Sequence, residues 1–267
     1  MMKQFGLIFK YTLWRTLKHP MSFLAMLLIP LLVIFLFSAV NDFNTEVDLI
    51  FYGFNIGHTW QVIPNLFFFQ LFGAMTMIDN MYEIMRGANK WRFFAAPVKR
   101  TYFPVATMLA GWVATFIQGL LIVLVTGIVL NVMWGTWWVT LLFLLGISLL
   151  GQGIGLILYV ATKNSSTANG IAYPLIFLMA GFSGFIIPIR DLISHRIVYF
   201  IGDWSPLTLA IRGVWYSGPI GMFDSVAERL YTGQDMGLAM RNVGLVFAIT
   251  AVLWAVGLGI GRVKKEW

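Results

Sequence analysis

The sequence has no cysteine and little charge. Of its 267 residues, 18 are Lys or Arg and 11 are Asp or Glu, which is 11% of the chain, against about 25% in a typical soluble domain. The absence of cysteine excludes a disulfide framework, a thiolate metal site and a cysteine nucleophile. The low charge excludes a soluble enzyme, a disordered tail and a nucleic-acid-binding module. Because 59% of the residues are hydrophobic, the composition predicts a multi-pass membrane protein.

Long segments without Asp, Glu, Lys or Arg mark the membrane spans, since about 20 apolar residues cross the hydrocarbon core. The longest segment, Thr101 to Thr162, is too long for one span, and the polar stretch from Asn131 to Thr136 divides it. The whole chain, 1–267, is therefore predicted to be a single all-α transmembrane domain with six helices. The predicted spans one to six are 21–40, 58–80, 103–130, 137–162, 167–188 and 241–261.

The positions of the lysines predict the orientation. All eight lysines lie in the two end segments, in the loop after span two or directly after span four. Basic residues of short loops stay in the cytoplasm. The sequence therefore predicts that both termini are cytoplasmic, and most acidic residues fall on the opposite face.

Three segments outside the spans have a distinct character. Residues 1–20 are predicted to form an amphipathic helix in the membrane interface, and a contact with a cytoplasmic partner is the alternative. Residues 190–240 are too apolar for a solvated loop and predict short re-entrant helices at the outer face. Residues 262–267 are a short cytoplasmic tail. The apolar side of the first helix carries Phe5, Ile8, Phe9, Leu13 and Leu17.

The loop between spans two and three predicts a second amphipathic helix. Glu83, Arg86 and Lys90 follow at steps of three and four residues, so that Glu83 and Arg86 can pair on one side of a helix. Gly87 can end or kink that helix, and Pro97 breaks it. The alternative is a basic loop that only fixes the topology.

The sequence lacks the motifs that are typical of nucleotide-binding, metal and catalytic sites. The chain has no GxxxxGK[ST] phosphate loop, so it has no nucleotide site of that kind. Its three histidines are isolated, which argues against a metal site and against a catalytic cluster. Gly151 and Gly155 lie in an apolar helix and are interpreted as a helix-packing pair rather than a dinucleotide loop. The spans carry no charged residue except at their edges, which argues against a proton- or sodium-coupled transporter and a hydrophilic channel.

Spans two and five are rich in aromatic residues. These residues either form a wall for an amphipathic or lipidic substrate or simply face lipid. The candidates for a translocation path are Asn65, Phe69, Phe72, Met75, Phe177 and Phe182.

Four motifs in this order resemble the permease subunits of type-2 ABC exporters, a family that includes drug, polysaccharide and teichoic-acid export permeases. The cytoplasmic loop contributes EIMRG (Glu83 to Gly87) and FAAPVKR (Phe94 to Arg100). The outer face contributes SGFIIPIRDLI (Ser183 to Ile193) and SPLTLAIRGVW (Ser205 to Trp215). The resemblance extends over essentially the whole chain.

The resemblance implies a complex of two permease copies, identical or paralogous, and two separate ATPase subunits. ATP and Mg would be bound by the ATPase, and this chain would hold no cofactor and would not itself be an enzyme. The loop would supply a coupling helix that docks on the ATPase. Spans two and five would line the path, and Pro188 and Pro206 would belong to an outer gate. The residues of the coupling helix would be Glu83, Arg86, Gly87, Lys90, Pro97 and Arg100.

The resulting hypothesis is an export permease in a bacterial or archaeal plasma membrane, with membrane lipid around it and no nucleic-acid partner. A non-transporting sensor or scaffold subunit is one alternative. A lipid-modifying membrane enzyme is another, although the clustered acids or histidines that it needs are missing. The sequence leaves open whether the substrate is a drug, a peptide, a lipid or a glycan.

Overall fold

The computed structural model describes residues 2–18, 20–44, 50–51, 54–88, 90–91, 95, 102–184, 196–218 and 234–264. Within these residues the chain is helical apart from turns and one hairpin of two-residue strands, which agrees with the predicted helical class. The elements are α1 (Met2–Lys18), α2 (Pro20–Asn44), β1 (Ile50–Phe51), β2 (Phe54–Asn55), α3 (Ile56–Leu71), α4 (Gly73–Met85), α5 (Tyr102–Val129), α6 (Trp137–Ala161), α7 (Ser165–Ser183), α8 (Arg196–Asp203), α9 (Pro206–Tyr216) and α10 (Met236–Val263). The hairpin is antiparallel and pairs Ile50 with Asn55.

Each of the six predicted spans coincides with helical structure. Four stretches among the described residues are long and apolar enough to cross a membrane: Gly57–Met85, Tyr102–Val129, Trp137–Ala161 and Met236–Val263. They correspond to spans two, three, four and six. Span one lies within α2, whose side chains are described from Leu27 to Val40, all of them in one apolar stretch, and span five coincides with α7. The six-span count therefore stays a prediction.

Helix α6, which is span four, lies at the centre of the bundle. It contacts α3, α4, α5, α7, α9 and α10. Glycines let the neighbouring backbones approach: a Cβ on Gly151 would lie 3.2 Å from the carbonyl oxygens of Gln70 and Leu71, and one on Gly155 would collide with the carbonyl of Ala74. The helix-packing interpretation of these two glycines is confirmed.

The polar stretch between spans three and four separates two helices as predicted. Helix α5 ends at Val129 and α6 begins at Trp137. Asn131 and Gly135 both have positive φ, 49° and 62°. A Cβ on Gly135 would lie 2.5 Å from the Ser217 Oγ, so the turn needs glycine both for its conformation and for its contact with α9.

Three predicted boundaries were wrong by five residues. Span five ends at Ser183 instead of 188, because Gly184 takes the left-handed conformation, with a φ of 78°, and ends helix α7 there. Span two continues to Met85 instead of ending at 80, because nothing interrupts its last turns before the turn at Gly87. Span six begins at Met236 instead of 241, because the Asp235 side chain accepts a hydrogen bond from the Leu238 N–H and caps the helix there.

Span two also contains a break that the sequence did not predict. The Phe72 N–H donates to the Phe69 carbonyl at 3.1 Å, and the Met75 N–H donates to the Phe72 carbonyl at 3.0 Å. These are three-residue steps of the 3₁₀ type inside an otherwise α-helical span. The break at Phe72 divides the span into α3 and α4.

The two ends of the bundle are built differently. The lysine-rich end holds Lys90, Lys163 and Lys264 together with α1. Only three residues, 162–164, join spans four and five there, and the Asn164 side chain caps α7 by accepting from the Thr167 N–H at 2.7 Å. The opposite end holds the turn between spans three and four, together with α8 and α9.

Short helices are present within residues 190–240, as predicted, whereas the location of this segment at the outer face stays a prediction. Helix α8 is largely exposed, whereas α9 is largely buried against α3, α6 and α10. The Trp60 and Trp215 rings stack at 4.5 Å and join the start of span two to α9. Re-entrance into the membrane stays a prediction. Of the two residues predicted for the outer gate, Pro206 is the first residue of α9, and Pro188 lies outside the described residues.

Candidate functional site

Span two presents one half-exposed stripe along its whole length. The stripe is made of the residues of this span that are not fully buried. Between Val62 and Met85, all other residues except Asn80 are buried. Positions three and four residues apart share a face of a helix, so the stripe continues across the break at Phe72. Polar residues occupy both ends of the stripe and aromatic residues its middle. It consists of Gln61, Asn65, Phe69, Phe72, Met75, Thr76, Asp79 and Glu83.

An aromatic cluster joins the middle of the stripe to span five. The Phe177 ring on α7 lies 5.3 Å from the Phe68 ring and 6.5 Å from the Phe72 ring. The Tyr173 ring lies 6.0 Å from the Phe72 ring. Phe177 and Tyr173 are about half exposed, so one side of the cluster is open. The cluster comprises Phe68, Phe69, Phe72, Tyr173 and Phe177.

The structure therefore brings Phe69, Phe72 and Phe177 together, whereas their role as the wall of a translocation path stays a prediction. Tyr173 was missed, although its position one turn before Phe177 could have indicated it. Asn65 and Met75 lie on the same stripe, and the Asn65 side chain donates to the Gln61 carbonyl at 2.8 Å. Phe182 lies apart from the cluster, where its carbonyl approaches Gly202 of α8.

At the lysine-rich end, the stripe is bonded to span five. The Asn169 Nδ2 donates to the Asp79 carboxylate at 2.9 Å. This contact holds the end of span two beside the start of span five, where the polar part of the stripe begins. Spans two and five thus share both the apolar and the polar part of this surface.

Glu83 pairs with the first helix rather than with Arg86. The Arg15 guanidinium lies 3.0 Å from the Glu83 carboxylate and donates to the Asn80 Oδ1 at 2.9 Å. The predicted pair between Glu83 and Arg86 was wrong, because a partner from α1 occupies the carboxylate. Helix α1 is therefore attached to the end of span two.

Arg86 is turned toward span four. Its guanidinium donates to the Thr162 carbonyl at 2.9 Å and lies over the rings of Tyr82 and Tyr159, at 5.0 and 4.8 Å from their centroids. The sequence predicted a residue displayed on an amphipathic helix. The structure places this arginine against the end of another span instead.

The predicted helix from Glu83 to Lys90 is not continuous. Helix α4 ends at Met85, and Arg86 follows as its C-cap. A Cβ on Gly87 would collide with the Glu83 carbonyl, so the chain turns at a residue without a side chain. Lys90 and Trp91 then stand exposed. Pro97 and Arg100 lie outside the described residues, and the docking role of the whole segment stays a prediction.

The described part of the chain has no group of three or more His, Cys, Asp or Glu residues that could hold a metal ion. The polar residues of the site instead bond to backbone carbonyls, to amides or to one another. What the arrangement offers is a surface with an aromatic centre and polar ends.

Comparison with known families matches residues 3–217 to the family described as ABC-2 type transporter. No curated protein matches the chain. The family match extends from α1 through the aromatic stripe and the turn after α4 to the end of α9. Permeases of this family generally work with an ABC ATPase. The chain belongs to the ABC-2 type transporter family, as a multi-pass membrane component of an ABC transporter.

Proposed function

We propose that this chain is the permease subunit of an ATP-driven exporter that moves an amphipathic or lipid-linked substrate outward across a plasma membrane. The observation that carries the proposal is the half-exposed aromatic stripe of span two and its cluster with span five. The stripe occurs in a chain of the ABC-2 type transporter family. The lysine-rich end is cytoplasmic in this proposal, because lysines are retained on that side.

The chemistry of the stripe favours a substrate with both polar and apolar parts. Its centre carries the rings of Phe69 and Phe72 and its ends carry Gln61, Asn65 and Asp79. Aromatic faces bind apolar or sugar-ring surfaces, whereas the amides and the carboxylate bind polar groups. Because the centre of the stripe is apolar, a hydrated ion is not favoured as the substrate. A second permease copy would close this open surface into a path.

The energy comes from a partner chain. A separate ABC ATPase binds ATP and Mg and docks at the turn after α4, where Lys90 and Trp91 are exposed. Closure of the two ATPase subunits then shifts the ends of the spans, and the paired permeases alternate between an inward and an outward opening. Helices α8 and α9, with Pro206 at the start of α9, close the outer side.

Purification of the tagged full-length chain from its native host, in mild detergent, tests the proposal. We expect a stoichiometric ATPase subunit to accompany the chain and its ATP hydrolysis to be blocked by vanadate. A second permease band would indicate a paralogous pair, and a single permease band in a complex whose mass requires two copies would indicate a homodimer. If several detergents yield the intact chain without any nucleotide-binding protein, a sensor or scaffold subunit becomes the better interpretation.

A further inference from the structure

Two cations from different helices converge on the C-terminal end of span four. The Arg86 guanidinium, after span two, donates to the Thr162 carbonyl at 2.9 Å. The Lys264 ammonium, after span six, donates to the Val160 carbonyl at 3.0 Å. The last carbonyls of a helix have no partner within the helix and carry its partial negative charge, so both cations complement this end.

Arg86 is held in place by more than its charge. Its guanidinium lies over both the Tyr82 ring and the Tyr159 ring, and the two rings themselves meet edge to face with their centroids 4.9 Å apart. The Tyr82 hydroxyl lies 2.8 Å from the Thr162 Oγ1. Cation–π contact with two rings and donation to a carbonyl together hold the guanidinium at this position. The side chain is thus engaged with span four rather than presented to a partner.

The two halves of span two are attached to span four in different ways. Helix α4 is bonded along its length, by Gln152 to the Gly73 carbonyl at 3.1 Å, by Tyr82 and by Arg86. Helix α3 is joined through the Ser148 hydroxyl, which donates to the Gln70 Oε1 at 2.8 Å. The break at Phe72, with its 3₁₀ steps, lies between the two halves, and such a stretch is a common place for a helix to bend.

We propose that Arg86 is a positioning residue that clamps α4 to the end of span four. Helix α4 and span four then move as one unit on the lysine-rich side of the break, and span two bends at Phe72. A movement of the ATPase is transmitted to span four through Arg86, so the end of span two does not move independently of span four. This inference rests on the proposed function for the source of the motion, but the clamp itself belongs to the isolated chain.

The absence of native cysteine makes the test direct, because introduced cysteine pairs can carry spin labels without background. The pair Ala88→Cys and Lys163→Cys, both at exposed positions, reports the distance from the end of α4 to the end of span four. The pair Gln61→Cys and Lys163→Cys crosses the break. In the complex with its ATPase, adding ATP and vanadate should shift the second distance and leave the first unchanged.

Variants at Arg86 test the clamp in the purified chain without any ATPase. Arg86→Gln removes the charge, and we expect it to broaden the distance distribution of the first pair. Arg86→Lys keeps the charge but loses the planar stacking, so we expect an intermediate width. Lys90→Gln, which removes an exposed cation from the same segment, is the matched control and should leave the width unchanged.

The outcomes separate the clamp from the exporter hypothesis. An unchanged width in Arg86→Gln overturns the clamp, whether or not an ATPase is present. A first distance that shifts with ATP as much as the second overturns the joint movement of spans two and four. If no ATPase accompanies the chain, the proposed function fails, while the width measurement still decides the clamp. In the complex, Arg86→Gln should also reduce the ATP-dependent shift of the second pair, and Arg86→Lys should partly restore it.

Discussion

Span two has two faces with opposite properties. One face is buried against spans three and four, where glycine contacts and buried amides fix the distance between backbones. The other face is the half-exposed stripe, with aromatic rings and polar ends. Substitutions on the buried face should therefore alter folding, whereas substitutions on the stripe should alter access and transport. The following experiments sharpen or break this distinction.

The largest effect is expected at the glycine contact with α4. In Gly155→Val, the new side chain would collide with the Ala74 carbonyl and Met77, which forces the two helices apart. We expect a loss of about 3 kcal/mol in the free energy of unfolding, measured by thermal denaturation in detergent. Gly170→Val is the matched control, since nothing lies within 4 Å of its Cβ. Equal losses in the two variants would contradict the assignment of the buried face.

A smaller effect is expected at the buried hydroxyl that joins spans two and four. Ser148→Ala removes the donor to the Gln70 Oε1, and interhelical hydrogen bonds in membranes contribute about 0.6 kcal/mol on average. We expect a matching fall in unfolding free energy, measured as above. Ser166→Ala, at an exposed position of α7, should leave the stability unchanged. A neutral Ser148→Ala would show that packing alone holds this face.

On the stripe, we expect side chains to be accessible to a water-soluble reagent, in contrast to the buried face of the same span. A cysteine reacts with a maleimide through its thiolate, which requires water. We expect Phe72→Cys to be labelled in membranes by a membrane-impermeant maleimide and the buried Phe67→Cys to stay unlabelled. If Phe72→Cys resists labelling with and without ATP, the stripe faces lipid and is not a path. Phe200→Cys is the positive control: this residue is exposed on α8, at the end of the bundle away from the lysines, and its cysteine should be labelled.

A small effect on stability is also expected at the ion pair between α1 and span two. The Glu83 side chain is 61% exposed and that of Arg15 is 14% exposed, and a pair with a solvent-exposed partner contributes about 0.2–1 kcal/mol. Glu83→Arg should therefore leave membrane insertion and folding nearly intact. In the complex, however, we expect this single reversal to uncouple ATP hydrolysis from transport. The double variant Arg15→Glu with Glu83→Arg restores an ion pair and should restore coupling. Normal coupling in Glu83→Arg would remove the pair from the coupling pathway.

The sequence predicted the features that depend on local chemistry. Charge-free segments located the helices, and the polar stretch with Gly135 located the turn between spans three and four. The sequence did not predict the break at Phe72, because glycine, which follows at Gly73, is also common inside membrane helices that have no break. The break depends on how the span packs against span four, which the sequence does not show. The partner of Glu83 was missed for a similar reason: Arg15 lies on another helix, and helical spacing favours the neighbouring Arg86.

The three-residue link between spans four and five limits how the molecule can open. Three residues extend over at most about 10 Å, and the Asn164 cap keeps the first turn of α7 wound. Span five therefore cannot slide past span four, but it can pivot about this short tether. An opening between the stripe and span five would be widest at the far end of span five and narrow beside the tether. The shape of the gap would be a wedge rather than a parallel slot.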